Sequence, residues 1–484
     1  MNALNKEILR LAIPSILANI TVPIVGMVDI AVAGHLQGTE LFTAAAFIGG
    51  ISIGSMLFDL LYWNFAFLRV GTGGLTAQAF GRGDLRECGR ILMRAVLLAL
   101  ACAALILLIQ WPFTKLAFLI VDSSGEVKQL ALKYFFIRVW AAPATLGLMA
   151  FRGWFIGMQD SFSSMMTDLV VNGVNIAASI ILTLGVPSSG WEGLGFPGIA
   201  LGTVVAQYSG LMYASLKVLF RYRHVFKGFG RGDLQHAFAG SELRGFMSMN
   251  GDIFIRSLCF TAIYMGMPTI AAHYGDLMLA SNTIMMKLLM IFSFFTDGFA
   301  YAGEALTGRF IGEKDLGMTQ KSVRYVFYWS MSIVLGFMAV YWFGGMPMVR
   351  LMTSDQAVVE ASRQFLPWLV LMPLTGCAAF TWDGIYLGAT ASKGIRDAML
   401  WAAGAFLLCW FAGIGILSAV SPLPHDSARF QALAIHVLMV AYFAHLLART
   451  VVLTVRYRHD VLDRHFSPNL NHSLDSPINT APNA

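Results

Sequence analysis

Apolar runs of roughly twenty residues recur along this chain, separated by short polar turnarounds. A run of that length crosses the hydrocarbon of a bilayer as a helix. In lipid every backbone N–H and C=O must be satisfied within the segment, which a helix achieves. The strands of a transmembrane barrel alternate in polarity, and these runs do not. Window length predicts about twelve spans, near residues 11–35, 43–70, 91–112, 131–151, 164–186, 198–220, 246–271, 278–306, 325–346, 365–388, 398–419 and 432–455. The predicted class is an all-α integral membrane protein. Composition agrees: 12% of residues are charged, against about 25% in soluble domains. The 47 glycines suit closely packed membrane helices.

The polar remainder holds no room for a soluble domain. The longest insertion, Arg221 to Arg244, reads as a linker, and the tail, rich in Asn, Ser and Pro, reads as disordered. The expected organisation is a first lobe at 1–220, a cytoplasmic linker at 221–243, a second lobe at 244–458 and a disordered cytoplasmic tail at 459–484. The first apolar run is too long for a cleavable signal and lacks a small-residue cleavage site. Alternate turnarounds are basic: Arg82, Arg86, Arg90 and Arg94, then Arg221, Arg223 and Lys227, then Arg309, Lys314 and Lys321, then Lys393 and Arg396. The opposite loops hold few cations. The bias puts both termini in the cytoplasm. It also accounts for the net charge of +6 without a nucleic-acid partner, which would need a basic face on a folded module. The five cysteines lie in or beside spans, with neither metal-ligand nor disulfide-framework spacing.

Two stretches recur at one offset. LTAQAFGRGDL begins at Leu75 and LTGRFIGEKDL at Leu306; FRGWFIGMQDS begins at Phe151 and WDGIYLGATAS at Trp382. The shared displacement of 231 positions covers six spans, an even number, so each copy re-enters the membrane on the same side. That predicts two six-helix lobes in a parallel internal repeat, with a cleft between them that can open to either side. Such a plan points to a secondary transporter. No GxxxxGK[ST] loop is present to bind ATP, and no HExxH, GxSxG or pair of histidines in a span indicates an enzyme.

PIVGMVDIAVAGHL, FLRVGTGGLTAQAFGRGD, FRGWFIGMQDS, GIALGTVVAQ and DGFAYAGEALTGRFIGEKD together resemble the MATE family, the multidrug and toxic compound extrusion transporters. Arg69 and the sequence DGFA resemble its DinF branch. The likeness runs from residue 5 to about 460. It implies twelve helices in two lobes. It also implies export of small organic compounds, cationic or amphipathic, in exchange for entering H+ or Na+. No cofactor is implied beyond the coupling ion. The expected partners are organic substrates and membrane lipids, and a monomer is expected.

Asp29 is the one acid of the first span, six residues past Pro23. A carboxylate in hydrocarbon costs about 2.5–3.5 kcal/mol on insertion scales, and it survives by facing a cavity, pairing or holding a proton. It acts as a proton carrier or as an interhelical bond. In the family pattern it is the coupling-ion residue of the first lobe. Asn172 and Asn175 share one face of the fifth span, with Ser179 a turn beyond. They serve either as interhelical bonds or as ion ligands. The family commonly carries Asn at position 175 and Asp at 179, and Thr203 matches a threonine near the same site. This chain lacks the second carboxylate, which weakens a site for Na+, a hard cation that wants oxygen donors. A proton needs only one titratable group.

The second lobe places Asp252, Arg256, Asp297, Glu304 and Asp383 in or beside spans. Asp252 and Arg256, four apart, are positioned to pair. The group reads as a neutralised network or as a second proton path. Asp59 is open to the same two readings, and Tyr62, Trp63, Tyr264 and Phe294 are candidate cleft-lining aromatics. A flippase for a lipid or lipid-linked oligosaccharide, from the same superfamily, is the alternative. It would favour a cationic cleft, whereas the acid noted in the first lobe favours cationic or neutral cargo.

Overall fold

The computed structural model describes residues 3–36, 43–121, 124–186, 190–230, 232–233, 240–425 and 427–466. Among them are twelve helices long and apolar enough to cross a membrane. In chain order these spans are Ala3–Gly34, Ala46–Gly81, Leu85–Leu119, Gly125–Gly157, Ser161–Leu184, Phe196–Arg221, Leu243–His273, Asp276–Gly312, Leu316–Met352, Gln356–Gly388, Ser392–Val420 and Ala428–Phe466. Nearly all are longer than the hydropathy windows. The windows mark what hydrocarbon requires, while the helices run on past it, several of them to side-chain caps. The last helix continues through Phe466, past Arg458 where a disordered tail is expected from sequence. Residues 467–484 of that tail lie outside the described residues.

The repeated stretches are helix–turn–helix corners at the basic end of the molecule. Each closes one helix with a residue in the left-handed region: Gly83 (φ 73°), Gln159 (60°), Lys314 (57°) and Thr390 (53°). Three of the next residues then cap the following helix. Asp84 accepts from the Glu87 N–H at 2.9 Å, Asp160 from the Ser163 N–H at 3.1 Å and Asp315 from the Met318 N–H at 2.8 Å. Each cap satisfies an otherwise orphaned N–H of the first turn. The fourth corner has Ala391 at this place and no side-chain cap.

The helices entering these corners cross at glycines, and the crossings obey the same offset as the sequence. A side chain on Gly153 would collide with the carbonyl oxygen of Arg69; one on Gly384 would collide with that of Ala300, 231 positions on. Gly157 meets the carbonyl of Gly73, and Gly388 that of Glu304. Between the two halves, Gly81 meets the carbonyl of Arg309, while Gly312 meets that of Gln78. Spans 2, 4, 8 and 10 are thereby locked together. Side chains bridge the same seam: Gln78 Nε2 donates to the Gly388 carbonyl (3.0 Å), and Gln159 Nε2 to that of Ala305 (2.7 Å). The N-terminal helix adds Glu7–Arg309 at 2.5 Å and Trp329 Nε1 to Asn5 Oδ1 at 3.2 Å.

The connection between the halves is fixed to span 3. Asp233 meets Arg86 and Arg90, each at 2.9 Å. Desolvation acts to raise its carboxyl, but the Gly230 N–H and the two guanidiniums outweigh it and hold the group at about 2. A depressed carboxyl stabilises above its ordinary value of 3.8, so this contact persists at neutral pH and is lost as pH falls toward 2.

The glycine crossings are testable. Gly153→Ala and Gly384→Ala each force a methyl against a backbone carbonyl and are expected to cost about 1–3 kcal/mol. Gly404 is helical with open space around its Cβ position, so Gly404→Ala is expected to be neutral or to stabilise by up to about 1 kcal/mol. Thermal unfolding in detergent checks both, and a Gly153→Ala melting point at or above wild type would reject the crossing as a tight contact.

Candidate functional site

Among the described residues, two polar regions stand out within the apolar interior. The first lies in the N-terminal half. Asp29 is buried, with the Arg138 guanidinium and the Ser179 hydroxyl in electrostatic reach of its carboxylate. Neither bonds its Oδ1, which is buried without a hydrogen-bond partner. Asn175 Nδ2 donates to Thr203 Oγ1 at 3.1 Å, leaving Asn175 Oδ1 unpartnered, and Ser179 Oγ is likewise unpartnered. Spans 5 and 6 approach closely here, because Gly202 sits against Ser179. Spans 1, 5 and 6 thus contribute buried oxygens with free acceptor capacity. Such a set can take a proton, a water or a hard cation. Among the described residues no cluster of three His, Cys, Asp or Glu is placed to hold a metal.

Arg138 is the feature that the sequence reading passed over. It bonds Tyr134 Oη (2.9 Å) and Ser55 Oγ (3.4 Å), lies 4.7 Å over the Phe58 ring, and has both Asp29 and Asp59 in electrostatic reach. The intramembrane charge of the first half is therefore not purely acidic, which removes the argument from that charge for cationic cargo. The second Asn is also placed differently from its neighbour. Asn172 Nδ2 donates to Thr21 Oγ1 at 2.5 Å, and Thr21 lies two turns, about 12 Å, along the helix from Asp29.

The second region is a cavity of about 310 Å³ between the halves. Trp63, Tyr264, Phe294 and Tyr442 give it aromatic walls; Tyr62 instead stacks on Phe58 within the first half. Its lining charges balance, with Arg69, Arg256 and Arg449 against Asp297, Glu304 and Asp383. Asp383 is clamped by Arg256 and by the fully buried Arg449. Arg69 meets Glu304 across the halves at 3.3 Å. The expected Asp252–Arg256 pair does not form. Helical spacing permits that contact, but Arg256 turns into the cavity toward Asp383. Asp252 instead takes Arg396 at 2.6 Å and Ser392 Oγ at 2.8 Å. Arg449 was also missed from sequence, as was the Arg152–Asp168 pair at 2.5 Å. The signal for these was present: an arginine inside an apolar run is as costly as an acid and asks for the same explanation.

Comparison with known proteins agrees with this geometry. The MatE family pattern matches residues 14–181 and 253–412. The chain is 33% identical over 406 residues to the DNA damage-inducible protein F of Escherichia coli (strain K12), covering 84% of this chain and 85% of that one. Among solved structures, one described as the outward-facing conformation of a multidrug resistance MATE family transporter superimposes with a TM-score of 0.75 at 16% identity, covering 95% of this chain and 96% of that one. A MOP superfamily transporter from Pyrococcus furiosus, whose pocket is described as of reversed polarity suggesting a different function, gives 0.77 at 17% identity over 96% and 97%. With twelve membrane spans, a matching fold and a family pattern over most of its length, this chain belongs to the MatE family of transporters and is not an enzyme.

Proposed function

We propose that this protein is a secondary antiporter that exports organic compounds, cationic or amphipathic, in exchange for H+, by alternating access between two lobes. The lobes are residues 1–220 and 244–458, with 221–243 as the linker. The basic corners face the cytoplasm of a bacterial cell, and the membrane is its inner one. The cavity between the halves carries this reading. It is lined from both sides, contains aromatic and charged groups, and sits above the glycine crossings that seal the basic end. The bridging contacts come from the basic half or middle of spans 1 and 2 and from the end of span 4: Glu7, Asn19, Trp63, Arg69, Gln78 and Gln159. This arrangement supports a state open away from the cytoplasm. The multidrug resistance described for a protein of this fold supports the cargo class.

Asp29 is the coupling carboxylate in this reading, and Asn175, Ser179 and Thr203 surround the exchange site. Protonation removes its charge, and with it the hold on Arg138 and on cargo. The free acceptors at Asn175 and Ser179 support a site that exchanges ligands. With serine at 179 the site carries one carboxylate, which favours H+ over Na+. One observation favours the flippase alternative, because three arginines in the cavity are suited to phosphate. Net cavity charge is zero with every group ionised, so the two readings part on cargo, which transport assays separate.

Purified protein in liposomes is expected to export an organic cation down an imposed pH gradient and to ignore a Na+ gradient. Dependence on Na+ alone would reject proton coupling, and movement of a lipid-linked sugar without drug efflux would favour the flippase. Asp29→Asn keeps size and hydrogen bonding while fixing the charge at zero. At matched membrane expression it is expected to insert normally and to lose at least about tenfold in export. Wild-type export by this variant would shift the role to another carboxylate. A reporter fused after Arg464 is expected to be cytoplasmic, and a periplasmic reporter would invert the topology.

A further inference from the structure

The internal symmetry breaks at a buried point on the seam between the halves. Glu304 lies 231 positions after Gly73, and Arg69 the same distance before Ala300. A side chain at Gly73 would collide with Glu304 Oε1, so the first half leaves empty the space that the second half fills with a carboxylate. Glu304 is fully buried and touches one charge, Arg69 of the opposite half. Its Oε1 has no hydrogen-bond partner. The pair sits where the cavity floor meets the glycine crossings, since Gly388 packs on the Glu304 carbonyl itself.

We propose that Glu304 is a second proton-binding site of the cycle and the latch of the closed basic end; this rests on the alternating-access reading above. With Glu304 ionised, the ion pair to Arg69 holds the halves together at the floor of the cavity. A proton arriving through the open side forms an O–H bond on the carboxylate and cancels its charge. Arg69 keeps its own proton and has other partners at hand. Its guanidinium lies 4.3 Å over the Tyr301 ring, and Asp297 is in electrostatic reach. The latch is then released and the basic end can open. There the proton passes to water on the basic side, and the carboxylate recovers Arg69 on reclosure. The other charged groups nearby are engaged elsewhere: Asp383 with Arg256 and Arg449, and Arg152 with Asp168. Protons would thus act both at Asp29 and at the closed gate, which ties release of cargo to reversal of the lobes.

The test reads gate opening, not transport. Thr307 is buried in the repeated stretch beside this seam, and cysteine replaces threonine with little change in shape. In a background without the five native cysteines, modification of Thr307→Cys is measured against the exposed Glu313→Cys, which cancels the intrinsic pH dependence of the thiol. With Glu304 present, the relative rate is expected to rise about tenfold from about pH 8 to about pH 5. With Glu304→Gln or Arg69→Gln it should be high at both pH values, and with Glu304→Asp the rise should persist. The same rise in Glu304→Gln, or no rise in the protein that retains Glu304, would overturn the proposal. Failure of H+-driven export with this labelling profile intact would count against the antiport reading and leave the proton site standing.

Discussion

The contact on which this architecture depends is a helix carbonyl lying against a glycine of another helix. Between lipid-embedded helices there is no hydrophobic force to draw them together, because the tails are as apolar as leucine. Association rests on close packing and polar contact. Two backbones can approach this closely only where one lacks a Cβ. The chain supplies such places in pairs, at Gly153 and Gly384, Gly157 and Gly388, and Gly81 and Gly312. The cavity between the halves lies above that floor.

The charges follow from the same geometry. Arginines such as Arg69, Arg138, Arg152, Arg256 and Arg449 stand within the spans, each beside a carboxylate or a tyrosine. Removing one partner of such a pair typically costs about 3–5 kcal/mol, because the other is left uncompensated. A charge can leave such an interior at low cost only where another charge or a proton compensates its partner. The two halves use this differently. The first holds Asp29 and Arg138 within one lobe, whereas the cavity holds pairs both within a lobe and across the two.

Much of the fold was legible in the sequence, and for a definite reason. Hydropathy reports on the hydrocarbon, so the spans were found and their ends were not; the ends belong to caps such as Asp84 and Asp315. The offset of 231 positions was readable as duplication, but the contacts that it creates between the halves were not. Nothing in a one-dimensional string says that Gly81 will meet Arg309 while Gly312 meets Gln78. Asp29 stood out as an acid in an apolar run. Arg138 and Arg449 obey the same rule, since a cation in an apolar run needs a partner as much as an acid does. The Asp252–Arg256 pair failed because spacing says which residues share a face, not which way a long side chain turns. Asn172 and Asn175 share a face, yet their amides find partners in different spans.

The paired glycine seams have a consequence for biosynthesis. Chains enter the membrane from the N-terminus, so the first six spans exist for some time without the last six. During that interval the grooves at Gly74 and Gly81 stand unfilled, since the helices that fill them, spans 10 and 8, are not yet made. Their backbone groups are already bonded within their own helices, so waiting leaves no polar group unsatisfied; only packing is deferred. The early half is then an open mould. The late half, cut to the same pattern, is the part that closes it.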